Sequence, residues 1–208
     1  MAIAIPLSFL YNCVNYLISE EKGMNKKFGI KEVVAMGIGT ALFVVLTNVQ
    51  IPLVFIPNTA LQPRMAILAF FSAIFGPIVG GVVGFLGHAL GDALFYGSVW
   101  WSWVFPEAVV GVCIGLFVKK YGVEEGSFAN TKTIVFFNVV QAVANAVAWI
   151  IVAPVLDIIV YKEPANKVFV QGAFAFLGDI IIIGILGTLL LAAYSKIAGK
   201  SSNLKAED

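Results

Sequence analysis

Apolar runs of about 20 residues recur along the whole chain, and that recurrence decides what it can fold into. A helix rises about 1.5 Å per residue, so each run is long enough to cross a hydrocarbon core of about 30 Å. Of the 208 residues, 60% are hydrophobic and 12% charged. A soluble domain carries roughly a quarter charged residues. Mean hydropathy is +0.96. The chain reads as an all-α, polytopic membrane protein with no room for a separate soluble domain. A net charge of +1 gives nothing that points to nucleic acid. Cys13 and Cys113 fall in unrelated segments without a metal-ligand spacing and read as inert apolar residues. Neither a metal nor a cofactor is expected.

Turn signals divide the chain into six expected spans, at residues 30–49, 61–75, 78–96, 100–118, 133–153 and 168–194. The second is short, since roughly 15 residues reach only about 22 Å, and it stops at the Gly76-Pro77 turn signal. Basic residues decide whether it crosses. With six crossings and the amino terminus inside, Lys22, Lys26, Lys27, Lys31, Lys119, Lys120, Lys132, Lys196, Lys200 and Lys205 are cytoplasmic. Only Arg64, Lys162 and Lys167 fall outside, ten against three. Without the short span, Lys119, Lys120 and Lys132 move outside and the bias collapses. The expected fold is a six-transmembrane-helix bundle with amino and carboxyl termini cytoplasmic. It occupies residues 24–196, and residues 197–208 form a polar cytoplasmic tail. Residues 1–23 lack a basic n-region and a small-x-small cleavage site, so they make a poor signal peptide. Met24 opens MNKKFGIKEVV like a natural start, which makes residues 1–23 an upstream extension or interfacial segment.

Polar residues inside the apolar runs mark the candidate site. Residues 80–107 hold the chain's one histidine, His88, together with Asp92, Trp100, Trp101, Trp103 and Glu107. Ionisable groups at membrane depth are costly and usually face a bundle interior or a cavity. Residues four apart share a helix face, so Gly84, His88, Asp92 and Tyr96 form one stripe. It reads as one wall of a polar pocket, or as a His88–Asp92 pair that holds the bundle together. Trp100, Trp101 and Trp103 fall at the outer interface, with Glu107 just below. One or two of these indoles can face inward to stack on a ligand, and the others belong to an interface belt. On the fifth span Asn138, Gln141 and Asn145 share a face, as a binding wall or as inter-helix hydrogen-bonding groups. Gln171 lies near the outer end of the sixth span. Asp179 lies near mid-depth, as a counter-charge or a ligand contact.

Two further features stand outside that wall. Residues 50–63 carry Pro52, Pro57 and Pro63 and read as an ordered loop or lid with Asn58, Thr59 and Gln62 as polar tips. Asn58 serves there as a ligand contact or as a turn residue. The first span overlays two small-residue pairs, Ala35/Gly39 and Gly37/Ala41, which let helices approach closely within the bundle or on a partner.

Taken together, VVAMGIGTALF (33–43), PNT (57–59), the Gly76-Pro77 turn, GFLGHALGD (84–92) and YGSVWWSW (96–103) resemble the substrate-binding S component of an energy-coupling factor (ECF) vitamin transporter. The likeness is strongest to the thiamine-precursor (hydroxymethylpyrimidine) branch and covers residues 24–194. The family pattern in the first span is alanine-x-x-x-alanine, whereas glycine and alanine alternate here, so either pair can be the docking face. The resemblance implies a bundle that captures a small aromatic vitamin or precursor at its outer end, under the first loop. It also implies a transmembrane coupling subunit and two cytoplasmic ATPase subunits as partners. The sequence holds no GxxxxGK[ST] phosphate loop, so this chain hydrolyses no ATP itself.

On this reading the ligand is hydroxymethylpyrimidine, then a pyridoxine-like vitamin or riboflavin. A competing reading is a free-standing proton-coupled transporter using His88, Asp92, Glu107 and Asp179 as a relay. Against it stand the missing inverted repeat and the small number of helices. An intramembrane enzyme needs a nucleophile–base pair or a metal cluster, which one histidine and two scattered cysteines do not supply.

Overall fold

A computed structural model describes residues 29–55 and 59–204. Residues 1–23 and Asn58, named above, lie outside the described residues. Helix α1 spans Ile30–Thr47, and the Glu32 carboxylate accepts the Gly29 N–H at 2.9 Å to close its first turn. A short antiparallel hairpin follows, β1 (Ile51–Pro52) against β2 (Ala60–Leu61), in the register Ile51↔Leu61 and Pro52↔Ala60. Helix α2 (Arg64–Phe75) and helix α3 (Pro77–Phe95) meet at Gly76, whose φ of 91° suits a residue without a Cβ. Pro77 then opens α3 with its ring pre-set for a first helical turn. Helix α4 covers Trp101–Gly115 and a single turn, α5, Val118–Tyr121. Two long helices complete the chain, α6 (Thr131–Tyr161) and α7 (Ala165–Lys200). Asn130 caps α6 by accepting the Lys132 N–H at 3.0 Å.

Among the described residues α1, α3, α6 and α7 are long and apolar enough to cross a membrane, while α2 and α4 are shorter apolar helices. The protein is an all-α membrane protein. Its interior is close-packed where glycines meet: a Cβ added at Gly80 of α3 would sit 2.8 Å from the Gly111 carbonyl carbon of α4. In the same way Gly87 and Gly91 of α3 seat Phe43 and Thr47 of α1, where an added Cβ would approach each side chain to 2.6 Å. The core runs between these helices through Phe43, Leu68, Val83, Val110, Ile114 and Phe137, all fully buried.

Helix boundaries depart from the sequence expectation at one place that matters for the site. The expected fifth span ends at residue 153 and the sixth begins at 168, yet α6 continues through Pro154 to Tyr161. A proline inside a helix removes a hydrogen bond and crowds the preceding turn. Here a widened π turn at Ala146–Val152 immediately precedes it, and a second follows at Asp157–Tyr161, so the strain is taken up without a break. Asp157 therefore projects from a helix rather than from a loop.

Candidate functional site

One end of the bundle gathers the carboxyl ends of α1, α3 and α6 and the amino ends of α2, α4 and α7. Between them lies a cavity of about 490 Å3, roofed by hairpin residues Pro52, Leu53, Thr59 and Ala60. That volume is in the range that holds a small organic ligand. The hairpin is tied down by Gln50, whose Oε1 accepts from Gln62 Nε2 at 3.2 Å and from the Tyr96 hydroxyl at 3.3 Å.

The floor is a buried charge cluster. Arg64, the first residue of α2, reaches across to α1: its Nη1 donates to Thr47 Oγ1 at 3.1 Å, and its guanidinium carbon lies 4.8 Å from the centre of the Phe43 ring. Its Nη2 stands 3.7 Å from Glu107 Oε2 of α4. The same Glu107 oxygen meets His88 Nδ1, and His88 Nε2 stands 3.4 Å from Asp92 Oδ1 one helical turn along α3. Asp92 Oδ2 accepts the Trp100 backbone N–H at 3.0 Å, which fixes the chain at the start of α4. Arg64, His88, Asp92 and Glu107 are each at most 5% exposed. Charges so far from water persist only when paired and hydrogen-bonded.

One wall is aromatic. Trp100 and Trp103 line the cavity, and each donates its indole N–H to Asp157, at 2.8 Å to Oδ1 and Oδ2 respectively. Trp100 also stacks on Tyr161, ring centres 4.1 Å apart and planes 15° apart. Trp101 points away, against Phe85, in the manner of an interface-belt residue. Gln171 and the Lys167–Glu163 ion pair, 2.7 Å long, complete the opposite rim.

Of the residues named from sequence, His88, Asp92, Tyr96, Trp100, Trp103 and Gln171 share this cavity. Glu107 does not line it and stands behind His88 and Arg64 as their common acid. Gln141 and Asn145 are also apart from it. Asn145 Nδ2 donates to the Gln141 carbonyl at 2.9 Å, and Gln141 Nε2 donates to the Ile180 carbonyl at 3.3 Å, so these amides join α6 to itself and to α7. Asp179 is buried and is not among the lining residues either. On α1 the buried stripe is Ala35, Gly39, Phe43 and Thr47, while Gly37 has no neighbour within 4 Å of where a Cβ would stand.

Sequence reasoning missed Arg64 and Asp157. Arg64 is the only arginine beside twelve lysines, and a guanidinium fork serves buried pairing better than an ammonium. Asp157 interrupts an apolar run, a signal that Pro154 obscured. Among the described residues no group of three or more His, Cys, Asp or Glu is placed to hold a metal ion. The arrangement suits reversible binding of a flat, polar, aromatic molecule, with ring faces on one side and fixed charges and amides on the other.

Known proteins resemble this chain over most of its length. A UPF0397 protein of Exiguobacterium is 48% identical over 180 residues, covering 86% of this chain and 98% of the relative. A UPF0397 protein of Streptococcus gordonii is 46% identical over 187 residues, covering 90% and 100%. One of Lactobacillus helveticus is 50% identical over 179 residues, covering 86% and 96%. No solved structure matches. Residues 27–196 match the profile of the ECF-type riboflavin transporter S component, and the chain belongs to that family of multi-pass cell-membrane transporter components for vitamin uptake, which is not a family of enzymes.

Proposed function

We propose that this chain is the membrane-embedded substrate-binding subunit of an ATP-driven ECF importer and captures a small aromatic vitamin or precursor in the cavity above Arg64, His88 and Asp92. The observation that carries this reading is the cavity itself, where two indoles and Tyr96 face a fixed cluster of charges at one end of an apolar bundle. The chain crosses the membrane six times with both termini in the cytoplasm. This orientation keeps Lys119, Lys120 and Lys132 inside and opens the cavity to the exterior. The short helices α2 and α4 span because their ends sit in this polar cavity and at the opposite loop rather than in lipid.

Hydroxymethylpyrimidine is the first candidate ligand, because a carboxylate such as Asp92 accepts hydrogen bonds from an aminopyrimidine while an indole stacks on the ring. A pyridoxine-like vitamin follows, and so does riboflavin, the vitamin in the name of the matched family. Vesicles holding only this chain should bind the ligand without accumulating it, with or without a proton gradient. Uptake driven by a proton gradient would overturn this reading in favour of a relay through His88, Asp92, Glu107 and Asp179.

The partners are a transmembrane coupling subunit and two cytoplasmic ATPases, and the outward face of α1 docks the first of them. Gly37 and Ala41 lie on that face with Val33, Val34, Ile38 and Val45, all exposed, whereas Ala35 and Gly39 pack inside. Small residues there allow close helix approach in lipid. Gly37→Leu and Ala41→Leu should abolish transport and leave ligand binding intact. Gly39→Leu should instead damage folding, since its Cβ would meet Val83 at 2.7 Å. Normal assembly of the Gly37→Leu/Ala41→Leu protein with the coupling subunit would place docking elsewhere.

A further inference from the structure

Asp157 has a role that the cavity's composition alone does not reveal. It is 3% exposed and lies opposite the start of α4, and none of the three donors on its carboxylate is a basic side chain. Instead its two oxygens accept three donors from the cap and first turn of α4: the Trp100 indole, the Ser102 hydroxyl and the Trp103 indole. Tryptophan N–H is a donor only, so an acceptor placed between two indoles fixes both ring planes at once. The π turn that begins at Asp157 brings Tyr161 to the same side of α6. There its ring stacks on Trp100 and its hydroxyl accepts the Trp101 backbone N–H at 3.1 Å. α6 thus carries a two-residue clamp for the aromatic wall.

We infer that Asp157 is a positioning residue: it holds the Trp100 and Trp103 rings in a binding-ready orientation, so that the ligand meets preset ring faces and finds its polar partners elsewhere in the cavity. This rests on the ligand-binding reading proposed above. Indoles fixed before binding lose little freedom when the ligand arrives, which is how preorganisation raises affinity. A carboxylate suits the task because both of its oxygens accept. An asparagine offers one acceptor, and its amide N–H2 would confront an indole N–H, donor against donor.

The test is Asp157→Asn in the full chain, read by the indole N–H signals of Trp100 and Trp103 in nitrogen-15-labelled protein and by titration with hydroxymethylpyrimidine, pyridoxine and riboflavin. At least one indole signal should move and exchange faster with water, and affinity for whichever compound the wild type binds should fall on the order of 10- to 100-fold. The fall should shrink to a few-fold in a Trp100→Phe/Trp103→Phe background, where Asp157 has no indole left to hold. An equal fall in that background, or weakened binding with both indole signals unmoved, would make Asp157 a ligand contact and overturn the inference. Moved signals with unchanged affinity would overturn it too. If Asp157→Asn does not fold, Trp103→Phe carries the test: the Trp100 indole signal should shift because the two rings share one acceptor, and a stationary signal would contradict the clamp. Failure of the wild type to bind any of the three compounds would count against the ligand reading, whereas unmoved indole signals count against the clamp.

Discussion

Arg64→Met is expected to lower the thermal midpoint of the purified protein by on the order of 10 °C and to cost most of the folded yield. Arg64 is the cation that Glu107 faces from α2, and Glu107 is fully buried and also meets His88. Removing one partner of a buried ion pair leaves an uncompensated charge, at a cost of about 3–5 kcal/mol. The same substitution strips Thr47 Oγ1 of its donor and Phe43 of the guanidinium above its ring. Those two side chains are the ones that seat α1 on Gly87 and Gly91 of α3, so the loss reaches the packing of the first helix as well. Glu107→Gln in the Arg64→Met background should recover much of the midpoint by removing the orphaned charge. Arg64→Lys should recover less, because an ammonium cannot serve Thr47, Glu107 and the Phe43 face together. A midpoint within 2 °C of wild type for Arg64→Met, read by thermal unfolding in detergent, would contradict this account of the floor.

Asp92→Asn is expected to weaken ligand binding about 10- to 150-fold, the equivalent of roughly 1.5–3 kcal/mol for a charge-assisted hydrogen bond. Asp92 lines the cavity, and each of its oxygens already has one neighbour, His88 Nε2 and the Trp100 N–H. A carboxylate oxygen accepts more than one hydrogen bond, so both retain capacity for a ligand donor. Asparagine keeps the shape and can still accept the Trp100 N–H, which confines the change to the charge. Titration calorimetry, with folding checked by gel filtration, separates the alternatives. A variant that melts lower but binds at wild-type strength once folded would make Asp92 a structural partner of His88 and the α4 start.

Hydropathy made the helices legible, because long apolar runs have few other outcomes in lipid. The turn at Gly76-Pro77 was equally plain, since that dipeptide both frees and stops the backbone. Helix periodicity carried the α3 stripe as far as His88, Asp92 and Tyr96, and interface reasoning brought Trp100 and Trp103 to the same end. Facing was the harder matter. Ala35/Gly39 and Gly37/Ala41 differ by about 200° around the helix, and only packing against Phe71 and Val83 shows which pair is internal. Gln141 and Asn145 read equally as a binding wall, from their shared face, or as inter-helix hydrogen-bonding groups, because amides in lipid demand partners, and in the fold α6 and α7 supply such partners. Arg64 and Asp157 escaped because each lies beside a proline that signals a loop. Pro63 does end one, whereas Pro154 sits inside a helix made tolerant by its π turns.

The most direct test of the central claim is mass spectrometry of the small molecule retained by the full chain after gentle extraction from its native membrane, paired with the same preparation of Asp92→Asn. The account predicts one aromatic heterocycle of vitamin or vitamin-precursor type, held at about one per chain, displaced by excess of the same compound and largely lost from the variant. Recovery of no such compound from folded wild-type protein that also fails to bind hydroxymethylpyrimidine, pyridoxine or riboflavin on titration would contradict it.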